Sequence, residues 1–135
     1  VAKRPAGLPA QDVTYTWDTA YIGRLASITD NSGSTSFSYD HRGNVTAKQV
    51  SIAGNFTGTV SYAYNRADRV IRIVYPSGRI VNYNRNSLGQ VIEVTLQDGP
   101  GAPVQVLASG FAYEPMGPLK SFAYGNVRHQ KERYK

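Results

Sequence analysis

An aromatic–x–aromatic–acid pattern recurs along this chain, and it narrows the fold more than any bulk property does. It reads Tyr15-Thr16-Trp17-Asp18, Phe37-Ser38-Tyr39-Asp40, Tyr62-Ala63-Tyr64-Asn65, Val81-Asn82-Tyr83-Asn84 and Phe111-Ala112-Tyr113-Glu114. The second aromatic falls at 17, 39, 64, 83 and 113, at intervals of 22, 25, 19 and 30 residues. Self-similarity of this kind marks repeat architectures, in which each copy is one supersecondary unit that stacks on its neighbours.

The residue types say what one copy is. Two rings at i and i+2 share a face of a β-strand, because side chains alternate with a period of two. The Asp or Asn that follows opens a turn, its side chain accepting backbone amides one or two residues on. Glycine three residues later, as in Asp40-His41-Arg42-Gly43-Asn44-Val45 and Glu114-Pro115-Met116-Gly117-Pro118-Leu119, supplies the positive φ that sends the chain back. From Asp18 to Gly23 and from Asn84 to Gly89 the spacing is two residues longer. In the third copy Asp68 stands where glycine is expected, and aspartate tolerates the left-handed region better than most residues. Leu25, Val45, Val70, Val91 and Leu119 then return apolar side chains to the sheet. Each copy is a hairpin.

A second series of turns joins the hairpins: Asp30-Asn31-Ser32-Gly33, Gly54-Asn55-Phe56-Thr57-Gly58, Tyr75-Pro76-Ser77-Gly78 and Asp98-Gly99-Pro100-Gly101-Ala102-Pro103. About ten strands lie between these turns. Ten tyrosines and thirteen glycines suit short strands and tight turns, and no window shows helical apolar spacing. The expected fold is all-β: tandem antiparallel hairpins forming one sheet that twists and curls, its aromatic rungs packed against one another as a ladder. A single hairpin is marginal in water, so stability should grow with copy number.

Tyr39-Asp40-His41-Arg42-Gly43-Asn44-Val45 and Tyr75-Pro76-Ser77-Gly78-Arg79 resemble the RHS/YD-repeat family, and the resemblance extends over roughly residues 13–127. It implies a segment of a hollow β-shell of the kind found in bacterial polymorphic toxins, in the C component of insecticidal toxin complexes and in teneurins. Such a shell is a container for a toxic domain or an adhesive extracellular barrel, which implies a secreted or cell-surface, bacterial setting. The partners implied are the rest of the parent shell and its enclosed domain. The family's Asp-Pro-x-Gly closing motif does not occur here, and Asp68, Val81 and Glu114 depart from the consensus at single positions.

Other functions find little support. The net charge of +6 suggests a nucleic-acid partner until it is mapped. Lys3 and Arg4 supply two positives and residues 128–135 a further net three, leaving nine positives against eight negatives from Asp12 to Lys120. A nucleic-acid binder needs a basic stripe on its folded face, so no nucleic-acid partner is expected. There is no cysteine for a disulfide or thiolate site, and the only histidines, His41 and His129, lie in a turn and in the basic tail. The repeat aspartates fall one per turn, which fits turn bonding better than paired acid–base catalysis. Neither a Gly-x-Ser-x-Gly elbow nor a phosphate-cradling glycine motif is present. No enzyme activity, metal or cofactor is expected, and no stretch is apolar enough to span a membrane.

The resulting division is an irregular lead-in over 1–12, five hairpin repeats over 13–127, and a basic tail over 128–135 that includes the start of a sixth copy at Tyr134. The signature residues are Tyr15, Trp17, Asp18, Gly23, Phe37, Tyr39, Asp40, Gly43, Tyr62, Tyr64, Asn65, Tyr83, Asn84, Gly89, Phe111, Tyr113 and Gly117, all in structural roles. Tyr21, Phe56 and Tyr75 lie off the ladder and are the candidate contacts for a glycan. Unpaired strands at the ends of such a sheet would also favour self-association.

Overall fold

A computed structural model describes residues 12–130 apart from 116 and 126. Of the expected lead-in over 1–12, residues 1–11 lie outside the described residues, as does the start of a sixth copy at Tyr134. Every regular element is a strand: β1 (Thr14–Trp17), β2 (Leu25–Asp30), β3 (Gly33–Tyr39), β4 (Val45–Ile52), β5 (Phe56–Tyr64), β6 (Val70–Val74), β7 (Ile80–Arg85), β8 (Val91–Gln97), β9 (Gln105–Tyr113), β10 (Leu119–Tyr124) and β11 (Val127–Gln130). Their order in the sheet is their order in the chain, as expected where short turns join antiparallel neighbours.

The chain forms two compact units, Val1–Thr59 and Val60–Lys135. In the first, β1 pairs with β2, β2 with β3 and β3 with β4, all antiparallel. In the second, each strand from β5 to β11 pairs antiparallel with the next. The signature hairpins are therefore β1–β2, β3–β4, β5–β6, β7–β8 and β9–β10, numbered 1 to 5 below.

One irregularity repeats in all five. Trp17 faces Leu25 and Thr16 faces Ser27, so Ala26 is an extra residue on the return strand. The same step leaves Thr46, Ile71, Ile92 and Lys120 unopposed. A bulge of this kind bends a strand and sharpens its twist. It also accounts for the consecutive apolar pairs Val70-Ile71 and Val91-Ile92, which a strictly alternating strand would not carry.

Burial is shallow. No helix lies on the sheet among the described residues, and the apolar side chains below a tenth exposure are Ile80 and Ala108, both in the second unit. The rungs Phe37, Tyr39, Tyr62, Tyr64, Tyr83, Phe111 and Tyr113 are half-buried, whereas Tyr15 and Trp17 on β1 are 57% and 54% exposed. The expected ring-on-ring ladder is thus only partly realised. The close ring pair is Phe111 with Phe122, stacked at 5.4 Å across hairpin 5 and not from rung to rung.

Candidate functional site

The repeated constellation at the turn end of each hairpin has two parts, a turn and a rung. In hairpin 2 the Gly43 amide donates to the Asp40 carbonyl at 3.0 Å and the Asp40 amide to the Asn44 carbonyl at 2.9 Å. Asp40 Oδ1 accepts the amides of Arg42 and Asn44, both at 2.9 Å, and the Asn44 side chain donates to Oδ2 at 3.1 Å. Partial desolvation pushes the Asp40 carboxyl up; the donors from Asn44 and Arg42, with the nearby His41, outweigh it and hold it below the ordinary carboxylate value. Gly43 has φ of 87°, the left-handed region that L side chains rarely occupy.

The same turn recurs with other residues. Asn65 Oδ1 accepts the amides of Ala67 and Arg69 at 3.0 and 3.1 Å, and Asp68 takes φ of 56° in glycine's place. Glu114 and Gly117 close hairpin 5 by the same pair of backbone bonds. Hairpin 1 keeps the longer loop: the Asp18 amide donates to the Arg24 carbonyl at 3.0 Å, and Asp18 Oδ1 accepts the Gly23 amide.

Hairpin 4 departs from the sequence reading. Its turn opens at Asn86, whose amide donates to the Gln90 carbonyl at 3.0 Å and whose Oδ1 accepts the Gln90 amide at 3.0 Å; the Gly89 amide closes on the Asn86 carbonyl at 2.8 Å. Asn86-Ser87-Leu88-Gly89 is therefore the compact turn, two residues further on than the longer Asn84-to-Gly89 loop expected above. Asn84 lies within β7 and donates from Nδ2 to Glu93 at 2.7 Å. Tyr83 takes the first-ring place, and Arg85, opposite Val91, takes the second.

The rung residue at that second place reaches back to the preceding hairpin. The Tyr39 hydroxyl donates to the Leu25 carbonyl at 2.9 Å, and the Tyr113 hydroxyl to the Val91 carbonyl at 2.7 Å. Arg85 does the same for Val70. These acceptors are the residues that head the return strands, where the following bulge interrupts the ladder. Sequence reasoning assigned the rings to packing and missed this bond, which depends on a backbone carbonyl one hairpin away.

The three off-ladder aromatics are separate. Tyr21 lies in the loop of hairpin 1, Phe56 begins β5 and Tyr75 opens the turn before β7; they are 41%, 49% and 41% exposed. Tyr21 borders a cleft of about 150 Å³ with Thr19, Arg24, Ser38 and Tyr39. Among the described residues no group of three or more His, Asp or Glu side chains gathers as a metal site, and no helix is long and apolar enough to cross a membrane.

Sequence-ordered hairpins, a tyrosine-led rung and an Asx-opened turn define a YD-type β-hairpin repeat protein. The Teneurin YD-shell family profile matches residues 2–109, and the chain belongs to that family. Its fold is similar to that of the crystal structure of TcdB2-TccC3 without the hypervariable C-terminal region, with a TM-score of 0.76 at 14% identity over 87% of this chain. The TcdB2-TccC3-Cdc42 and TcdB2-TccC3 crystal structures match at TM-scores of 0.74 and 0.73, each at 15% identity over 84% of this chain. The chain spans about 7% of the length of each of these structures. No curated protein matches it.

Proposed function

We propose that this chain is a non-catalytic wall segment of a larger YD shell, and that the shell encloses or scaffolds a toxin domain. The carrying observation is the recurrent bond from the rung residues Tyr39, Arg85 and Tyr113 to the return strand of the hairpin before, which spends these residues on joining copies. Family membership and the toxin-complex neighbours support a structural shell segment. Residues 13–127 supply the wall, residues 1–12 lead into it and residues 128–135 begin the next copy. The setting is extracellular or secreted, and the partners are adjoining copies and the enclosed domain. Electron microscopy of the full parent protein, with limited proteolysis, tests this. A closed wall that protects an internal domain is the expected result; an open sheet that leaves that domain cleavable would end the reading.

The cleft beside Tyr21 favours a second reading, a glycan contact. Tyr21 lines the cleft together with Arg24, Thr19 and Ser38, residue types that can stack on a sugar face and pair with an acidic substituent. Phe56 and Tyr75 offer rings elsewhere. Titration with acidic and neutral monosaccharides checks it: binding lost on Tyr21→Ala supports the contact, and no chemical-shift change at millimolar sugar removes it.

A further inference from the structure

Two kinds of contact join successive hairpins, and they run in opposite directions along the chain. Between hairpins 1 and 2, Tyr39 of the later hairpin donates back to Leu25 of the earlier one. Arg24 of the earlier hairpin reaches forward, its guanidinium 5.7 Å from the centroid of the Tyr39 ring and against the Gly43 turn. Hairpins 3 and 4 repeat both contacts: Arg85 donates back to Val70, while Arg69 reaches forward and donates from Nη1 to the Leu88 carbonyl at 2.8 Å. Arg24 and Arg69 hold equivalent places, each one residue before the apolar head of its return strand.

The forward arginine fills the space a side chain would need on the next turn. A Cβ at Gly43 would collide with the Arg24 guanidinium, and one at Gly89 with that of Arg69. At Gly23, Gly54, Gly78 and Gly117 nothing lies within 4 Å of such a carbon. Hairpins 4 and 5 form the natural control. Tyr113 still reaches back to Val91, but Gln90 replaces the forward arginine and bonds its own turn through Asn86, and the Gly117 turn is left open.

We propose that these contacts form a two-point interlock by which one hairpin selects its successor. A return strand headed by arginine plus an apolar residue accepts a hairpin whose turn glycine leaves room for the guanidinium and whose rung side chain carries a donor. Glycine at 43 and 89 then answers to two demands, positive φ and the neighbour's side chain. At 117 it answers to φ alone. The interlock stands on the described hairpin pairs and does not depend on what the shell encloses.

A double-mutant cycle on the full chain tests it. Urea unfolding midpoints are measured for Arg24→Ala, Gly43→Ala and the double variant, and again with Gly78→Ala replacing Gly43→Ala. The expected result is that Arg24→Ala lowers the midpoint of the parent chain and of Gly78→Ala equally, yet leaves that of Gly43→Ala unchanged. Additive losses at Gly43 would overturn the proposal. Should Gly43→Ala fail to fold, amide exchange on Arg69→Ala decides instead. The Gly89 amide should exchange on the order of threefold faster or more, with Gly117 unaffected; equal changes at both, or none at Gly89, would overturn it.

Discussion

Arg85 donates from Nε and Nη2 to the carbonyl oxygen of Val70, at 3.2 and 3.0 Å, and from Nη1 to the Gly89 carbonyl at 3.0 Å. A tyrosine at this place has one hydroxyl and meets the preceding hairpin alone. The guanidinium fork meets the preceding hairpin and closes its own turn at once. Removing the half-buried donor leaves the Val70 carbonyl without it. Arg85→Leu should therefore cost about 1–3 kcal/mol, whereas Arg85→Tyr should cost less because a hydroxyl can reach the same acceptor. Urea denaturation of the two variants gives the comparison.

The tyrosine rungs permit a milder test. Tyr113→Phe keeps the ring and deletes only the bond to Val91, so a loss of about 1 kcal/mol is expected. A loss within error would mean that the hydroxyl adds nothing beyond ring burial.

Placement of the fourth turn can be checked by two neighbouring asparagines. Asn86 accepts the Gln90 amide and donates to the Gln90 side chain, so Asn86→Ala should cost about 1 kcal/mol. Asn84, exposed on β7, donates to the half-buried Glu93 side chain, and Asn84→Ala should stay within about 0.5 kcal/mol. The reverse ranking would restore the turn to Asn84.

Acid should loosen two turns of the first unit. The Ser32 hydroxyl and amide lower the Asp30 carboxyl below its ordinary value of 3.8, as the turn donors and His41 do for Asp40 against burial. A carboxyl depressed in the folded state adds stability that is complete above its unfolded value and is lost as pH falls through its folded value. Stability should thus decline below about pH 3.8, the unperturbed value. Asp40→Asn should remove the Asp40 share of this decline while keeping the turn, as Asn65 and Asn86 already do in their copies. Carboxyl titration by NMR, with midpoints above 3.8, would contradict this.

The Arg79–Asp98 pair should matter little. Its nitrogen–oxygen distance is 2.9 Å, but the side chains are 56% and 55% exposed, and such pairs contribute roughly 0–1 kcal/mol. Arg79→Ala is expected to leave the urea midpoint within error at 0.5 M salt or above, where the ionic part is screened to about 3–5 Å.

Much of this was legible in the sequence because hairpins are local. Aromatic alternation, Asx residues and glycine spacing gave the strands, the turns and the family. The error at hairpin 4 has a clear source: Tyr83-Asn84 imitates a rung and its turn residue, while the real rung is a cation that an aromatic template does not recognise. The bulges left a trace in Val70-Ile71 and Val91-Ile92. The bond from rung to carbonyl left none, since every residue supplies the same acceptor and only the sheet decides which one a side chain meets. The rings are less buried than expected because, among the described residues, no helix or second layer covers the sheet.

The rung bonds of Tyr39, Arg85 and Tyr113 span only 14, 15 and 22 residues, and in each the donor follows the acceptor in the chain. A growing polypeptide would therefore always present the acceptor first. Each newly synthesised hairpin would find its docking place already built, with little loop entropy to overcome. Such a wall is suited to being laid course by course from the N-terminus during translation, with no need to wait for a distant part of the chain.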